Sequence, residues 1–282
     1  MSLIMALFLG LIQGVAEFLP ISSSGHLSIL QNLFNLEYSD ERHLLFDVLL
    51  HLGTLVSICA VYRKEIKEMI SEGLDYLHMR SDTNVDEPVV LKPPARALLF
   101  VLIGTLPMIL AFIFATVAGV SRLFFNTIFI GFALIITGSI LFVSEKYITA
   151  GSKTEKTMTI TDALVIGLSQ AVAILPGLSR SGTTISVGLA RGLSGAFAVR
   201  FSLLLSIPAV IGATVVSLYK MIRGGADFGL LPVYLAGFIV AACIGFFTIQ
   251  FLRRVMSRGG FGKFSYYCWG AGIITIILSL VL

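Results

Sequence analysis

Long apolar runs alternate with polar connections along most of this sequence. Runs of this length match the thickness of a bilayer core better than the elements of a soluble domain. The pattern therefore predicts an all-α polytopic integral membrane protein. The apolar runs lie near residues 3–21, 47–62, 97–119, 125–143, 161–176, 203–219, 231–252 and 265–282, with an amphipathic stretch at 183–200.

Composition and charge agree with a membrane protein. Of 282 residues, 56% are hydrophobic and only 13% are charged, and the mean hydropathy is +0.94, whereas a soluble domain is about a quarter charged. The net charge of +4 requires no nucleic-acid partner, because membrane topology itself places basic residues in loops. The most polar connection, 63–96, is expected to be a soluble loop with one amphipathic helix up to about Met79.

A segment near the N-terminus recurs later in the chain. Residues 10–26, GLIQGVAEFLPISSSGH, align without a gap with residues 167–183, GLSQAVAILPGLSRSGT, and share 8 of 17 positions. Chance similarity of two apolar helices does not explain aligned glutamines, serines and glycines. The match predicts an internal duplication, with a first repeat over 1–150 and a second over 151–282. The informative identities are Gly10/Gly167, Gln13/Gln170, Ser22/Ser179, Ser24/Ser181 and Gly25/Gly182.

Each copy of the repeated segment is broken in the middle, which favours a re-entrant hairpin that enters and leaves the membrane on one side. Three spanning helices then follow each hairpin. Because an odd number of crossings reverses direction, the second copy is expected to be inverted relative to the first. The predicted fold therefore has six transmembrane helices plus two re-entrant helical hairpins in an inverted-topology repeat.

The distribution of basic residues supports this topology. Loops 63–96, 144–160 and 253–264 fall on one side and together hold 13 of the 20 Lys and Arg residues. Cytoplasmic loops of membrane proteins carry an excess of positive charge. These three loops are therefore expected in the cytoplasm, with both termini outside. The opposite side holds four basic residues: Arg42, Arg122, Lys220 and Arg223.

Acidic residues in apolar segments are candidates for chemistry, because a charge in the bilayer core costs roughly 2.5–3.5 kcal/mol or more on insertion scales. Gln13 and Glu17 are four residues apart and lie on one face of the first hairpin helix. Asp47 and His51 have the same spacing, and either line a site or make helix-packing hydrogen bonds. Asp162 opens an apolar helix, where capping explains an acidic residue. Glu17 is the strongest site candidate.

The break in the first copy exposes groups that suit an anion. Pro20 ends the helix, and a following serine can cap the next half-helix. The N–H groups and the positive end of that half-helix would attract a phosphate. His26 adds a proton carrier that works near neutral pH. The other expected binding positions here are Ser22, Ser23, Ser24 and Gly25.

The matching break in the second copy carries a cation. Arg180 takes the position of Ser23, and its guanidinium can bind phosphate through two parallel hydrogen bonds or pair with Glu17. A pseudo-two-fold arrangement would bring the acidic and the cationic break together around one polar pocket. The expected binding positions around this arginine are Ser179, Ser181, Gly182, Thr183 and Thr184.

Two segments, QGVAEFLPISSSGHL and PGLSRSGTTIS, resemble the signature motifs of the bacterial undecaprenyl-diphosphate phosphatase family, also called bacitracin-resistance proteins. FDVLLHLGTL and SIPAVIGAT resemble flanking segments of that family in order and spacing. The resemblance covers essentially the whole chain. It implies a membrane enzyme that removes the terminal phosphate of undecaprenyl diphosphate and so recycles the lipid carrier for peptidoglycan and cell-wall synthesis. It also implies a divalent cation, Mg²⁺ or Ca²⁺, and an active site toward the outer face.

The resemblance also implies residue roles. Gln13 and Glu17 match the family's (Glu or Gln)-x-x-x-Glu motif, so Glu17 is the expected carboxylate and metal ligand. Ser23 and His26 match its catalytic serine and histidine, and Arg180 matches its phosphate-binding arginine. The nucleophile stays open between Ser23, His26 and a water activated by Glu17. The acid-phosphatase-like lipid phosphatases do not fit, because SRSGTTISVGLARG lacks their later histidine.

Two other classes of function compete with the enzyme. A polyprenyl-phosphate flippase or transporter would share the inverted repeat and the broken helices. A structural membrane subunit would leave the cost of burying Glu17 and Arg180 without an explanation. The expected partners are a lipid diphosphate substrate and membrane lipid, with a homodimer as an open alternative to a monomer. The expected location is the bacterial cell membrane.

Overall fold

The computed structural model describes residues 1–34, 41–81, 91–117, 126–224 and 229–281, which form helices joined by turns. The all-α polytopic architecture predicted from the apolar runs is confirmed. The helices are α1 (Leu3–Ala16), α2 (Ser23–Leu33), α3 (Glu41–Val61), α4 (Arg63–Ser81), α5 (Pro93–Val117), α6 (Thr127–Tyr147), α7 (Ile160–Val172), α8 (Arg180–Ala190), α9 (Gly195–Gly224), α10 (Leu231–Ser257) and α11 (Phe264–Val281).

Among the described residues, five helices, α5, α6, α9, α10 and α11, are long and apolar enough to cross a bilayer. Helix α3 is a sixth candidate, because its 21 residues extend about 32 Å at the rise of an α-helix. It is bent by 79° from α4, which begins at Arg63. Helix α4 carries many charged residues and packs against α5. It is the amphipathic helix that the polar connection predicted.

Four shorter helices form two hairpins, α1–α2 and α7–α8. The ring of Phe34, just after α2, contacts that of Phe8 in α1 at a centroid distance of 6.5 Å. Arg191 Nε, just after α8, donates to Asp162 Oδ1 at the start of α7 over 2.8 Å. Each hairpin therefore returns to the side from which it enters. Helices α1 and α7 have 14 and 13 residues, which is too short to cross a bilayer.

The predicted boundaries around the amphipathic stretch 183–200 were wrong. Helix α8 ends at Ala190, and α9 begins at Gly195 rather than near residue 203. Gly192 has a φ of +84°, a left-handed conformation that glycine adopts readily and that commonly ends a helix. Leu193 is buried in the same core as both flanking helices. The apolar spacing therefore continues through the turn and conceals it in the sequence.

Close helix crossings occur at equivalent positions of the two halves. Gly10 of α1 lies against Gly237 of α10, and Gly167 of α7 lies against Gly104 of α5. Gly10 and Gly167 are partners in the sequence repeat. At both crossings a Cβ atom would collide with the backbone of the opposite glycine. Small residues let membrane helices approach closely, so the same type of contact positions both hairpins.

The three basic connections lie on one face of the helical bundle. Arg96 Nη2 donates to the Met158 carbonyl over 3.1 Å, which joins the first connection to the second. The Gly262 N–H donates to Glu145 Oε2 over 3.2 Å, which joins the second to the third. The grouping that the charge distribution required is therefore present in the structure.

Both chain ends lie on the opposite face. Met1 and Leu231, at the start of α10, pack against the same apolar cluster. Ser279, close to the C-terminus, donates to Thr127 Oγ1 at the start of α6 over 2.5 Å. Arg122, one of the basic residues expected on this face, lies outside the described residues.

Candidate active site

The two helix breaks lie directly against each other. A Cβ atom on Gly25 would lie 3.1 Å from Gly177 Cα, and one on Gly182 would lie 3.2 Å from Pro20 Cβ. Gly25 and Gly182 are matched in the repeat, and so are the positions of Pro20 and Gly177. The contact is therefore reciprocal, and larger side chains at either glycine would push the hairpins apart.

The unwound segments find hydrogen-bond partners inside the protein. Ser181 Oγ donates to the Leu19 carbonyl of the first break over 3.2 Å. Thr137 Oγ1 of α6 donates to the Gly177 carbonyl and accepts from the Ser179 N–H, both over 3.1 Å. Unwound backbone at membrane depth is stable only where protein or a polar cavity surrounds it. These bonds satisfy that requirement for both breaks.

Glu17 is at the centre of a buried cluster of hydrogen bonds. It follows the last residue of α1, and its Oε2 accepts from Gln13 Nε2 over 3.0 Å and from Ser23 Oγ over 2.7 Å. Its Oε1 forms an ion pair with Arg180 Nη2 of the other hairpin. The Glu17 side chain is only 6% exposed. An unpaired charge there would be costly, and these three donors offset that cost.

Two helix N-termini converge on this cluster. Ser22 caps α2 by accepting from the Gly25 N–H over 3.2 Å, and Ser179 caps α8 by accepting from the Gly182 N–H over 3.0 Å. The N-terminal end of a helix carries partial positive charge and favours an anion. Ser22 has a φ of +70°, an uncommon and costly conformation for a residue with a Cβ. This strained conformation of Ser22 therefore sets the direction in which α2 begins.

A cavity of about 280 Å³ opens between the two breaks and helices α3, α5 and α9. One part of its wall is polar and another part is apolar, which suits a ligand with a charged end and an apolar end. The polar wall consists of Glu17, Ser22, Ser23, Ser24, Asp47, His51, Gln170, Ser179, Arg180, Thr214 and Ser217. The apolar wall consists of Ala16, Val48, Met108, Ala173, Ile174, Leu178, Ala209, Val210 and Ala213.

Most of the predicted site residues line this cavity, and Gln13 reaches it through its hydrogen bond to Glu17. Other predicted positions shape the hairpins instead. Thr183 Oγ1 donates to the Ser179 carbonyl over 2.7 Å, and Thr184 Oγ1 lies 2.6 Å from Ser202 Oγ of α9. The predicted site residues that the structure does not bring to the cavity wall are Gln13, Gly25, His26, Ser181, Gly182, Thr183 and Thr184.

His26 makes its contacts with α11 and with its own helix. Its Nδ1 lies 2.7 Å from the Ser22 carbonyl, and its Nε2 lies 2.7 Å from the Tyr267 hydroxyl. Because a carbonyl only accepts, Nδ1 carries the proton and Nε2 accepts from Tyr267. The two rings stack at a centroid distance of 5.6 Å. His26 therefore fixes α2 against α11 in this arrangement.

Asp47 and His51 combine the two roles that their spacing left open. Asp47 Oδ1 accepts from Gln31 Nε2 of α2 over 3.1 Å, and His51 Nδ1 donates to the Asp47 carbonyl over 2.8 Å. Both residues also line the cavity. Asp47 thus ties α3 to the first hairpin, whereas the hydrogen bond of His51 stays within α3.

Gln170 lines the cavity, although its sequence context did not single it out. The repeat was the available signal, since it aligns Gln170 with Gln13. The walls from α5 and α9, such as Met108 and Val210, were also missed. Nothing in an apolar transmembrane run marks which positions face a cavity rather than lipid, because both surroundings accept the same side chains.

The fold and the site together define a polytopic helical membrane protein with a serine, a carboxylate and an arginine gathered in a cavity between two broken hairpins. Residues 6–274 match the family described as "Bacitracin resistance protein BacA". The chain belongs to this family.

Similar proteins cover almost the whole chain. It is 39% identical over 277 residues to a protein from Carboxydothermus hydrogenoformans, with 97% of this chain and 96% of the relative aligned. A protein from Methanosphaera stadtmanae is 37% identical over the full length of both chains. A third, from Methanobrevibacter smithii, is 38% identical over 99% of each chain. All three relatives are named undecaprenyl-diphosphatase.

Proposed function

We propose that this protein is an undecaprenyl-diphosphate phosphatase, which converts undecaprenyl diphosphate to undecaprenyl phosphate and inorganic phosphate. Family membership and the names of its relatives support this function. The observation that carries it structurally is the 2.7 Å hydrogen bond from Ser23 Oγ to Glu17 Oε2, with Arg180 on the same carboxylate. A nucleophile, a base and a phosphate-binding cation thus share one cavity.

The geometry supports a reaction in two steps. Ser23 Oγ attacks the terminal phosphorus, and the bond from that phosphorus to the bridging oxygen breaks. Glu17 accepts the hydroxyl proton and passes it to the phosphate that leaves with the lipid. The attack leaves the terminal phosphoryl group bound to Ser23 Oγ as a phosphate ester. Water attacks this ester while Glu17 takes its proton and returns it to Ser23 Oγ, so that inorganic phosphate is released.

Positive groups around Ser23 stabilise the charge that develops on the phosphoryl oxygens. Arg180 can present its guanidinium fork to two oxygens, and the N-termini of α2 and α8 direct backbone N–H groups toward the same place. Glu17 serves as the base in this scheme rather than His26. The carboxylate contacts Ser23 directly, whereas both ring nitrogens of His26 are engaged by Ser22 and Tyr267.

A divalent cation, Mg²⁺ or Ca²⁺, fits the donor set at Glu17. Gln13 Oε1 is buried beside this carboxylate and has no hydrogen-bond partner in the described part of the chain. The described residues contain no group of three or more His, Cys, Asp or Glu able to hold a metal. Mg²⁺ typically binds one or two protein oxygens plus substrate phosphates. Glu17 and Gln13 would hold the ion, which would supply positive charge to the diphosphate oxygens.

The basic face of the bundle is proposed to be cytoplasmic, with the termini and the opening of the active site on the outer side of the bacterial cell membrane. A second cavity of about 780 Å³ lies on this basic face, and its lining holds four basic residues, Lys156, Arg200, Arg253 and Arg254, against two acidic ones, Glu65 and Glu155. This excess of basic residues supports the assignment. The protein would then act on lipid substrate from the outer leaflet, with membrane lipid around it and no nucleic-acid partner. Recycled carrier supports peptidoglycan synthesis and cell shape, with bacitracin resistance as a consequence.

The test is phosphate release from undecaprenyl diphosphate by the purified protein in detergent. Ser23→Ala should lower kcat by roughly 10⁴-fold or more, as expected for loss of a nucleophile. Ser71→Ala, in the soluble helix α4, is the matched control and should leave kcat unchanged. A substrate with a radiolabelled terminal phosphate should label the wild type on Ser23 during turnover. Binding of substrate without phosphate release would instead support the flippase or transporter alternative.

A further inference from the structure

The side chain of Gln170 is completely buried and makes no hydrogen bond to the described residues. Its side chain lines the active-site cavity and has 0% exposure. Neither its Nε2 nor its Oε1 has a hydrogen-bond partner in the described part of the chain. A buried amide with both ends unsatisfied is costly to a folded protein, and such a group in a native structure calls for an explanation.

Comparison of the two hairpins explains why Gln170 lacks a protein partner. In the first hairpin Gln13 donates to Glu17 four residues later. In the second hairpin the residue four positions after Gln170 is Ile174, which aligns with Glu17 in the repeat. The second copy therefore has the glutamine but an apolar residue in place of its partner. The Gln170 amide is consequently buried at the cavity wall, and its N–H groups have no acceptor among the described residues.

The position of Gln170 indicates which part of a diphosphate it meets. It lies on α7, about one helical turn before Ile174, whereas Arg180 and Ser23 stand at the tips of the hairpins. Ala173, Ile174 and Met108 line the same cavity and are apolar. A lipid diphosphate with its terminal phosphate at Ser23 must direct its other phosphate toward an apolar wall, because the isoprenoid chain has to leave toward lipid.

The wall that helix α3 forms is less suitable for that second phosphate, since His51 there already uses its Nδ1 on the Asp47 carbonyl. Helix α3 presents the carboxylate of Asp47 there, and a carboxylate repels a phosphate at short range. An uncharged amide can donate two N–H bonds to phosphate oxygens. Hydrogen bonds to a charged partner are also stronger than those between neutral groups.

We propose that Gln170 forms a subsite for the phosphate that stays on the lipid, so that it binds the isoprenyl phosphomonoester portion of substrate and product alike. This inference rests on the proposed phosphatase function. Gln170 is a binding residue here, separate from the Ser23, Glu17 and Arg180 group that handles the terminal phosphate. Different residues thus bind the two phosphates of the substrate.

The inference is tested with Gln170→Leu, which keeps the volume of the side chain and removes its polar atoms. KM for undecaprenyl diphosphate and the inhibition constant of undecaprenyl phosphate should both rise by about tenfold or more, the usual effect of losing hydrogen bonds to a charged group. Inhibition by inorganic phosphate, which occupies the terminal-phosphate site, should stay within about twofold, and kcat within about threefold. Gln250→Leu on α10, outside this cavity, is the matched control.

Thermal stability separates binding from a structural role. Because Gln170→Leu removes two unsatisfied buried atoms, its Tm in detergent without ligand should be equal to that of the wild type or higher. A lower Tm with unchanged KM and unchanged product inhibition would show that Gln170 is structural, and would overturn the inference. An equal loss of inhibition by inorganic phosphate and by undecaprenyl phosphate would overturn the assignment to the lipid-borne phosphate.

A second variant covers the case in which Gln170→Leu does not fold. Gln170→Asn keeps the amide but withdraws it by one methylene. It should also raise the inhibition constant of undecaprenyl phosphate while leaving that of inorganic phosphate unchanged. An unchanged inhibition constant for this variant contradicts the subsite. A failure of the phosphatase assignment itself would look different, because the wild-type protein would then release no phosphate from undecaprenyl diphosphate.

Discussion

Glu17 and Arg180 form an ion pair although 163 positions separate them in the chain. Each stands at the break of its own hairpin, and their pairing places a carboxylate, a guanidinium and Ser23 in one cavity. The side chains of Glu17 and Arg180 are 6% and 17% exposed. A pair this deeply buried is weak evidence for stability by itself, because desolvation costs about as much as the attraction returns. Its position at the reacting groups indicates a role in function.

The shape of the Arg180 side chain should matter as much as its charge. Arg180→Lys keeps the positive charge beside Glu17 but loses the planar fork that binds two phosphate oxygens. We expect kcat/KM for phosphate release to fall by about 100-fold or more. Arg200→Lys is the control, because Arg200 pairs with Glu155 at the basic face. Equal activity of the Arg180→Lys variant and the wild type would contradict the phosphate-binding role.

His26 should be dispensable for the chemical step. Tyr267→Phe removes the hydroxyl that donates to His26 Nε2 and leaves the stacked ring in place. We expect kcat to stay within about threefold of the wild type for both Tyr267→Phe and His26→Gln, with a Tm lower by a few degrees from the lost hydrogen bond. Rates of phosphate release and melting curves in detergent provide the measurement. A loss of kcat in His26→Gln comparable to that in Ser23→Ala would reinstate the histidine as a reacting group.

The backbone conformation of the second break should require a glycine at position 177. Its φ is +90°, and a Cβ there would lie 2.7 Å from the Ile130 carbonyl oxygen. We expect Gly177→Ala to lower the free energy of unfolding by about 2–4 kcal/mol, from the left-handed conformation and overpacking together. Gly270→Ala in α11 is matched to it, because that Cβ would meet nothing within 4 Å and alanine favours helix. Equilibrium denaturation in detergent should show a lower free energy of unfolding for Gly177→Ala and not for Gly270→Ala.

Ser22 should respond to substitution in an order that helix propensity does not predict. Ser22→Gly relieves the cost of a φ of +70° and loses only a few tenths of a kcal/mol as a cap. Ser22→Ala keeps the strain and loses the cap to the Gly25 N–H, at a cost of about 1 kcal/mol. The glycine variant should therefore melt at a higher temperature than the alanine variant. The reverse order would show that Ser22 is unstrained.

Asp162 should stabilise the basic face without affecting catalysis. Its carboxylate has 0% exposure and accepts from Lys153 Nζ at 2.9 Å and Arg191 Nε at 2.8 Å. It also completes a capping box with Thr159, which confirms the capping role predicted from the sequence. Asp162→Asn should lower the free energy of unfolding by about 2–4 kcal/mol, because the buried acceptor of two basic side chains and of the Thr159 N–H loses its charge.

The control for Asp162 is the partly exposed pair at the same face. Glu155→Gln removes the partner of Arg200, and a pair of that kind contributes about 1 kcal/mol or less. Equilibrium unfolding should therefore separate the two variants clearly, while phosphate release by both stays close to that of the wild type. A large loss of kcat in Asp162→Asn would mean that this buried cluster is coupled to the cavity.

The sequence by itself determined the membrane class, the positions of both helix breaks and eight of the eleven polar residues that line the cavity. These features come from short-range physics: apolar run length, proline and serine at helix ends, and the cost of a carboxylate in lipid. The repeat also allowed the two breaks to be paired before any coordinates. The turn after Ala190 was not predicted, because Leu193 keeps the apolar spacing of a continuous helix.

Only the tertiary structure decided which polar side chains face the cavity. His26 contacts Tyr267 of α11, 241 positions later in the chain, and no local pattern specifies that neighbour. Gln170 has no side-chain partner among the described residues, where Ile174 stands in place of a carboxylate, and its helix α7 packs against α5 from a distant part of the chain. Side-chain direction at a helix break is set by the backbone angle and by the packed partner. Both are products of the assembled fold.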